Sequence, residues 1–279
     1  GTKAAAKIKR EDRSVQVEIY TKSTDISYAG CGLPYFVGGD IETREELIVN
    51  SPEKFASLTG AAVHTGKEAI GVDTGAKTVT FRSADGLTEI VGYDKLIVAT
   101  GAAPIVPGIE GVGLKGVFTV RTPDDAVAIR DYIEKNDCKK AVVVGAGFIG
   151  MEMAENLTAR KLSVTVVDML PQILPGILDS EMAGFAAREL RKGGMKLLTG
   201  VAVSAIRGES AVSAVATSAG ELAADLVIMS IGVRPATAFL TGTGIEMDRG
   251  AIVVDEYQKT SLEDIYAVGD CALVRNRVT

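Results

Sequence analysis

Apolar positions change their period along the chain. Residues 2–10 (TKAAAKIKR) are rich in helix formers. Over 15–20, Val15, Val17 and Ile19 alternate with Gln16, Glu18 and Tyr20, the period of a strand. A helix running straight into a strand reads as the second half of a βαβ unit whose opening strand is absent. Between 61 and 100 the pattern becomes all-β. Segments 77–81 and 87–91 flank Asp85-Gly86, a hairpin dipeptide, and 95–101 is a short continuous apolar strand ending in a tight turn, as buried parallel strands do. Pro104, Pro107 and Gly108 mark a linker. Thr122-Pro123-Asp124-Asp125 then opens an amphipathic helix running to Lys135, with proline in the first turn and acids at the positive end of the dipole. Strand 141–144, helix 148–160, strand 164–167 and helix 180–192 follow, then strands at 195–198, 201–206, 212–216 and 226–229, and finally 252–254 and 265–268. The alternation predicts a doubly wound α/β protein with a β-meander insert, made of two α/β units of which the first is incomplete.

Composition narrows the function classes. The 279 residues carry 36 acidic and 30 basic side chains, a net charge of −6, which argues against a protein built to neutralise phosphate backbones. With 47% hydrophobic and 24% charged residues the chain is neither disordered nor of low complexity. No stretch approaches the roughly 18 uninterrupted apolar residues of a membrane span. The N-terminal residues, beginning at Gly1, lack the apolar core of a signal peptide. Three cysteines cannot build a disulfide framework, so a reducing, cytoplasmic setting is expected. A single histidine, His64, excludes multi-histidine metal sites. His64, Cys138 and the methionines, Met151 and Met153 among them, read as packing or surface residues, and no metal site is expected.

The clearest chemistry lies at 141–150, AVVVGAGFIG, a GxGxxG between an apolar strand and a helix. Gly145 serves the tight turn, Gly147 the approach of a pyrophosphate and Gly150 close packing of helix on strand, while the helix N-terminus offers unpaired N–H groups to the phosphates. The next strand ends in Asp168, 23 residues after Gly145, with no arginine following it. A carboxylate there accepts the adenosine ribose hydroxyls and repels a 2′-phosphate, selecting NAD(H) over NADP(H). The other centre is Cys31, in ISYAGCGLPYF (26–36). Pro34 suits the first turn of a helix, placing Cys31 at or just before its N-terminus, where a thiolate is favoured. The alternative reading is a small buried apolar thiol. No second cysteine stands at CxxC or CxxxxC spacing, so Cys31 would cycle through a mixed disulfide or a sulfenic acid.

Taken together, the chain resembles the pyridine nucleotide-disulfide oxidoreductases. Within them it looks like the single-cysteine branch of coenzyme A-disulfide reductases, NADH oxidases, NADH peroxidases and persulfide reductases. The resemblance rests on SYAGCGLPY (27–35), YDKLIVATGA with Pro104 (93–104), GAGFIGMEMAE (145–155) and the stretch from Thr260 to IYAVGD (265–270), with SIGVRP (230–235) a weaker fifth match. It implies two Rossmann-like domains: an FAD domain over 1–108 and 246–279 with a β-meander insert, and an inserted NAD(H) domain over 109–245. It further implies that NADH lies over Gly147, Phe148, Ile149 and Gly150 with its ribose on Asp168, that Phe148 gates the flavin, and that Glu152 sits beside nicotinamide and flavin. Gly232 belongs to the fifth match, while Thr100, Gly101, Gly269 and Asp270 flank FAD. Hydride would pass to FAD and electrons on to Cys31, reducing a small disulfide, persulfide, peroxide or dioxygen. Ser27 is either a hydrogen-bond partner of Cys31 or a strand-end hydroxyl. Lys7, Lys9 and Arg10 are either coenzyme A phosphate ligands or a solvated helix face. Cys271 would pack near the flavin without a redox role. The chain departs from the family in three ways. Its first strand and C-terminal dimerisation domain are expected to be missing, so the fragment would be inactive and the full-length form a homodimer. Thr21 stands where an acid usually meets the FAD ribose, and Gly30 where several coenzyme A-disulfide reductases carry Asn. The reading from a different class is a non-catalytic NAD(H)-binding redox sensor.

Overall fold

The strongest apolar runs set the architecture, and in the computed structural model, which describes residues 1–274, each becomes a buried parallel strand. Residues 275–279, the tail of the expected 246–279 segment, lie outside the described residues. Packing divides the chain into two compact units. One comprises Gly1–Tyr28, Ile48–Ala103 and Arg234–Thr279; the other comprises Ala29–Leu47 and Pro104–Val233.

The second unit is built on a five-stranded parallel sheet in the order Val117–Phe118, Leu226–Met229, Lys140–Val144, Ser163–Asp168, Lys196–Thr199. Helices cover one face and a three-stranded antiparallel sheet the other, which is why the central strands are apolar on both sides rather than alternating. Helix Pro123–Lys135 opens with the expected cap. The Thr122 hydroxyl accepts the Asp125 N–H at 3.2 Å while the Asp125 carboxylate accepts the Thr122 N–H at 2.8 Å, a reciprocal capping box. Ile129, Ile133, Met153 and Leu157 from helices Pro123–Lys135 and Phe148–Ala159 meet Val143, Val166 and Ile228 of the sheet in one buried cluster. A three-stranded antiparallel sheet, Val203–Arg207, Ala214–Thr217 and Gly220–Ala223, closes the other face through Ile206, Val215 and Val227.

In the first unit, Glu18–Tyr20 pairs in parallel with Ala62–His64, and Leu96–Val98 in parallel with Ile265–Ala267. The expected meander is the antiparallel sheet Lys67–Asp73, Thr78–Ser83, Thr88–Gly92, with Asp85-Gly86 at its hairpin and Gly86 at φ +84°. Two expectations need correction. The strand expected over 15–20 is confined to Glu18–Tyr20. Upstream, the Asp12 carboxylate accepts both the Ser14 N–H (2.8 Å) and its hydroxyl (2.6 Å), a local turn that competes with pairing. A helix not expected from the pattern occupies Pro52–Thr59, with Ser51 as N-cap and Gly60 as left-handed C-cap. No helix among the described residues is long and apolar enough to cross a membrane.

Candidate functional site

Parallel strands present the loops that follow them at one edge, and in the second unit that edge gathers 145–150, 168–170 and 230–232. Gly145 has φ +105°, and a Cβ there would lie 2.3 Å from the Ser230 carbonyl oxygen. A Cβ on Gly150 would lie 2.0 Å from the Gly145 carbonyl oxygen and 2.5 Å from the Ser230 hydroxyl. Both glycines are therefore required by the protein's own packing. Gly147 is different: nothing lies within 4 Å of where its Cβ would stand, and its φ of −78° suits any residue. It is the N-cap of helix Phe148–Ala159, which has no side-chain cap and no acidic residue in its first turn. The opening N–H groups of that helix thus have no side-chain cap and stand at the positive end of the dipole, an arrangement suited to a phosphate.

Asp168, at the end of strand Ser163–Asp168, is fixed by two backbone donors: the Ala146 N–H on Oδ2 at 2.6 Å and the Leu170 N–H on Oδ1 at 2.8 Å. A carboxylate holds more lone pairs than these bonds use, leaving acceptors for ligand hydroxyls. Phe148 (58% exposed), Met169 (74%), Ile149, Leu170 and Ile231 expose apolar surface on the same loops. Gly232, at φ +119°, accepts the Ile105 N–H at 3.0 Å, and Glu152 lies half-buried one turn into the helix. The edge thus brings together Gly145, Gly147, Phe148, Ile149, Gly150, Asp168 and the strand-end loop carrying Gly232. Ser230 is a member of this edge whose role the sequence did not reveal. Its hydroxyl reaches the carbonyls of Val144 (3.0 Å) and Gly145 (3.1 Å), pinning the glycine turn to the neighbouring strand. Its place directly after strand Leu226–Met229 was the available signal.

Cys31 also belongs to this unit. It sits in the 3₁₀ turn Gly30–Gly32, closed by the Gly32 N–H on the Ala29 carbonyl at 2.8 Å, and helix Leu33–Gly38 follows with Pro34 in its first turn. The thiol is exposed, which removes the reading of a buried apolar cysteine. Cys138 and Cys271 are buried. Burial and the neighbouring Asp225 push the Cys138 thiol upward, away from thiolate chemistry.

The first unit holds Ser27, Thr100, Gly101, Gly269 and Asp270. Ser27 lies in strand Ser27–Tyr28, opposite Asn50 of Ile48–Asn50. Strands Leu96–Val98 and Ile265–Ala267 run parallel, and the Val268 N–H continues the pairing onto the Val98 carbonyl at 2.9 Å. The Thr100-Gly101 and Gly269-Asp270 loops therefore leave the same sheet edge, each turning through a glycine, at φ +67° and +79°. Beneath them Cys271 packs with Val98, Ile252 and Ile265, as a packing residue would. Thr21, where an acid was expected, accepts the Ser23 N–H at 3.2 Å. On helix Thr2–Glu11, Lys7 pairs with Glu11, and Lys9 Nζ donates to the Arg13 (2.7 Å) and Val15 (2.9 Å) carbonyls. Both are engaged by their own segment, as a solvated helix face is. Among the described residues no group of three or more His, Cys, Asp or Glu is arranged to hold a metal ion.

Comparison with known proteins shows the family of the chain. The chain is 39% identical to an NADH oxidase of Methanocaldococcus jannaschii, over all of this chain and 62% of that protein. It is also 39% identical to a CoA-dependent NAD(P)H sulfur oxidoreductase of Pyrococcus abyssi, with the same coverage. Among solved structures, an NAD-dependent persulfide reductase from A. fulgidus superposes with a TM-score of 0.93 at 35% identity, covering 98% of this chain and 51% of that one. The chain thus spans about three-fifths of the length of the curated relatives it matches. The family model for pyridine nucleotide-disulphide oxidoreductases matches residues 1–279, and the chain belongs to that family.

Proposed function

We propose that this chain is the dinucleotide-binding part of an NADH-dependent flavoenzyme that reduces a small acceptor through Cys31. The observation that carries the reading is the split role of the three glycines. Gly145 and Gly150 are closed by protein atoms, while the space beside Gly147 is open at an uncapped helix N-terminus. There the N–H groups of residues 148–150 bind the pyrophosphate, Asp168 accepts the ribose hydroxyls, and its charge repels a 2′-phosphate. Gly232 lets the chain turn beside the nicotinamide half without a side chain in the way, Glu152 lines the inner side of that half, and Phe148 is the gate that swings aside as the nicotinamide enters. The Thr100-Gly101 and Gly269-Asp270 loops hold FAD, with Asp270 toward the ribitol hydroxyls. Bound FAD supplies the two-electron relay between NADH and the thiol.

Cys31 supplies the sulfur chemistry. Its exposed thiolate attacks a disulfide or persulfide sulfur, forming one S–S bond as another breaks and releasing a thiolate. The acceptor class is a small disulfide or persulfide with coenzyme A as its carrier, a reading supported by the likeness to the CoA-dependent sulfur oxidoreductase of Pyrococcus abyssi; peroxide and dioxygen are the other members of the acceptor panel. The full-length form is a homodimer acting in the cytoplasm.

The test is NADH oxidation by the full-length protein against disulfide, persulfide, peroxide and dioxygen. Cys31→Ser is expected to abolish disulfide and persulfide reduction while leaving NADH affinity unchanged. Unchanged turnover in the variant would remove the thiol from the mechanism and leave an oxidase working at the flavin alone. Absence of flavin absorbance, with failure to reconstitute, would remove the enzyme reading altogether.

A further inference from the structure

The segment carrying Cys31 packs with the nucleotide-binding unit through a polar clamp that the reading above does not use. Helix Leu33–Gly38 buries Leu33, Phe36 and Val37 in the same apolar cluster as Ile129, Met153 and Leu157. Its C-terminal end turns at Gly39 (φ +101°), and the N–H groups of Gly39, Asp40 and Ile41 all converge on the Tyr35 carbonyl. Two guanidinium groups meet carbonyls at and just beyond this turn. Arg160 Nη1 donates to the Val37 carbonyl at 3.0 Å; Arg130 Nη1 donates to the Glu42 carbonyl at 2.9 Å and to the Ile41 carbonyl at 3.4 Å. The Arg130 guanidinium also lies 4.9 Å from the Phe36 ring centroid.

One carboxylate holds both cations. Glu134 Oε1 accepts Arg160 Nη2 at 2.9 Å and Arg130 Nε at 3.4 Å. The two arginines hold the Glu134 carboxyl below its ordinary range, as a paired carboxylate requires. Arg160 is the C-cap of helix Phe148–Ala159, whose other end forms the phosphate-binding turn, and its side chain is only 19% exposed. A charge-assisted bond from a half-buried guanidinium to a helix-end carbonyl is also favoured by the dipole.

We infer that Arg160 and Arg130, bridged by Glu134, are positioning residues that fasten the Cys31 segment to the C-terminal end of the nucleotide-binding helix. Cys31 is then held in place from the nucleotide side, so loosening the clamp misplaces the thiol without touching the nucleotide loop. The inference rests on the proposed role of Cys31 only for its effect on turnover; the clamp itself is read by other means.

The experiment compares Arg160→Met, which keeps the apolar stem, and Arg160→Lys, which keeps the charge, with the unsubstituted full-length protein. Hydrogen exchange of amides 35–41, the rate of Cys31 alkylation by iodoacetamide, NADH affinity and thermal unfolding are measured together. In Arg160→Met, exchange over 35–41 is expected to rise by about tenfold or more, the size of losing a charge-assisted hydrogen bond. Cys31 alkylation is expected to change at least severalfold and NADH affinity by less than twofold, with Arg160→Lys intermediate. Exchange that rises evenly over the whole unit, or alkylation unchanged in both variants, overturns the clamp. Full turnover in Cys31→Ser would refute the redox role instead, and would leave the exchange and alkylation results to decide the clamp.

Discussion

Alanine at two glycines of one turn separates what the fold needs from what the ligand needs. Gly145→Ala places a Cβ 2.3 Å from the Ser230 carbonyl oxygen on a backbone at φ +105°. The conformational strain is about 1–3 kcal/mol and the forced displacement of packed backbone about 1–3 kcal/mol more. Together these remove a large part of the 5–15 kcal/mol that roughly bounds a domain's stability. Gly147→Ala meets no atom within 4 Å and keeps an ordinary φ of −78°. It should leave stability unchanged or raise it by about 0.4–1 kcal/mol, through the less flexible unfolded chain. Yet its methyl group stands where the pyrophosphate would approach the helix N-terminus. A loss of about tenfold or more in NADH affinity, roughly 1.4 kcal/mol, is expected. Thermal unfolding and NADH titration of both full-length variants measure the two effects. Gly147→Ala binding NADH as tightly as the unsubstituted protein, or unfolding as early as Gly145→Ala, would refute the assignment of this turn to the phosphates.

Two further outcomes follow from charged groups, one at the end of strand Ser163–Asp168 and one directly before strand Ile265–Ala267. Asp168→Ala removes the acceptor of the Ala146 and Leu170 N–H groups together with the charge that repels a 2′-phosphate, so kcat/KM for NADH should fall and that for NADPH rise. Steady-state rates with both nucleotides test this, and an unchanged preference would discard Asp168 as the selector. Asp264 accepts Lys77 Nζ and Lys95 Nζ, each at 2.6 Å, and the two ammonium groups lower its pKa from 3.8 to about 2. A depressed carboxyl contributes stability that is present above its unfolded pKa and lost as pH falls through its folded one. Asp264→Asn should therefore lower Tm at pH 6, with the gap closing between about pH 4 and pH 2; a gap constant across that range would contradict the pairing.

The parts of the fold legible in the sequence are those where local and global signals coincide. At 141–168 an apolar strand, three spaced glycines, a helix and a second apolar strand ending in an acid all favour one arrangement, and each lies where expected. Helix Pro52–Thr59 carries a start signal at Ser51-Pro52 and a stop at Gly60, but buries only Phe55, so its apolar period is too faint to stand out. The strand expected at 15–20 is cut short both by the local Asp12–Ser14 turn and by the limited reach of its partner strand. Pairing runs only from Glu18↔Ala62 to Tyr20↔His64, while Lys9 holds the carbonyls of Arg13 and Val15. Alternation records which face a residue would bury, not whether a neighbouring strand reaches it. Ser230 was hidden for a similar reason, since its bonds to Val144 and Gly145 cross more than eighty residues of sequence.

The grouping of 29–47 with 104–233 is the feature least available to sequence reasoning, because it is decided by side chains far apart in the chain. A buried polar side chain costs stability unless its groups are met, yet Asn156 is buried on the inner side of helix Phe148–Ala159. Its Nδ2 donates to the Glu152 carbonyl at 2.8 Å, which turns its Oδ1 toward helix Leu33–Gly38, 2.2 Å from where a Gly38 Cβ would stand. Only a glycine admits that approach, and Arg160, one turn further on, reaches Val37 beside it. An apolar contact alone would tolerate sliding between the two helices. A fitted amide against a bare Cα and a guanidinium on a fixed carbonyl do not, because each defines a position along the helix axis. The Cys31 segment is thus held to helix Phe148–Ala159 at a definite register, as the proposed thiol chemistry at Cys31 requires.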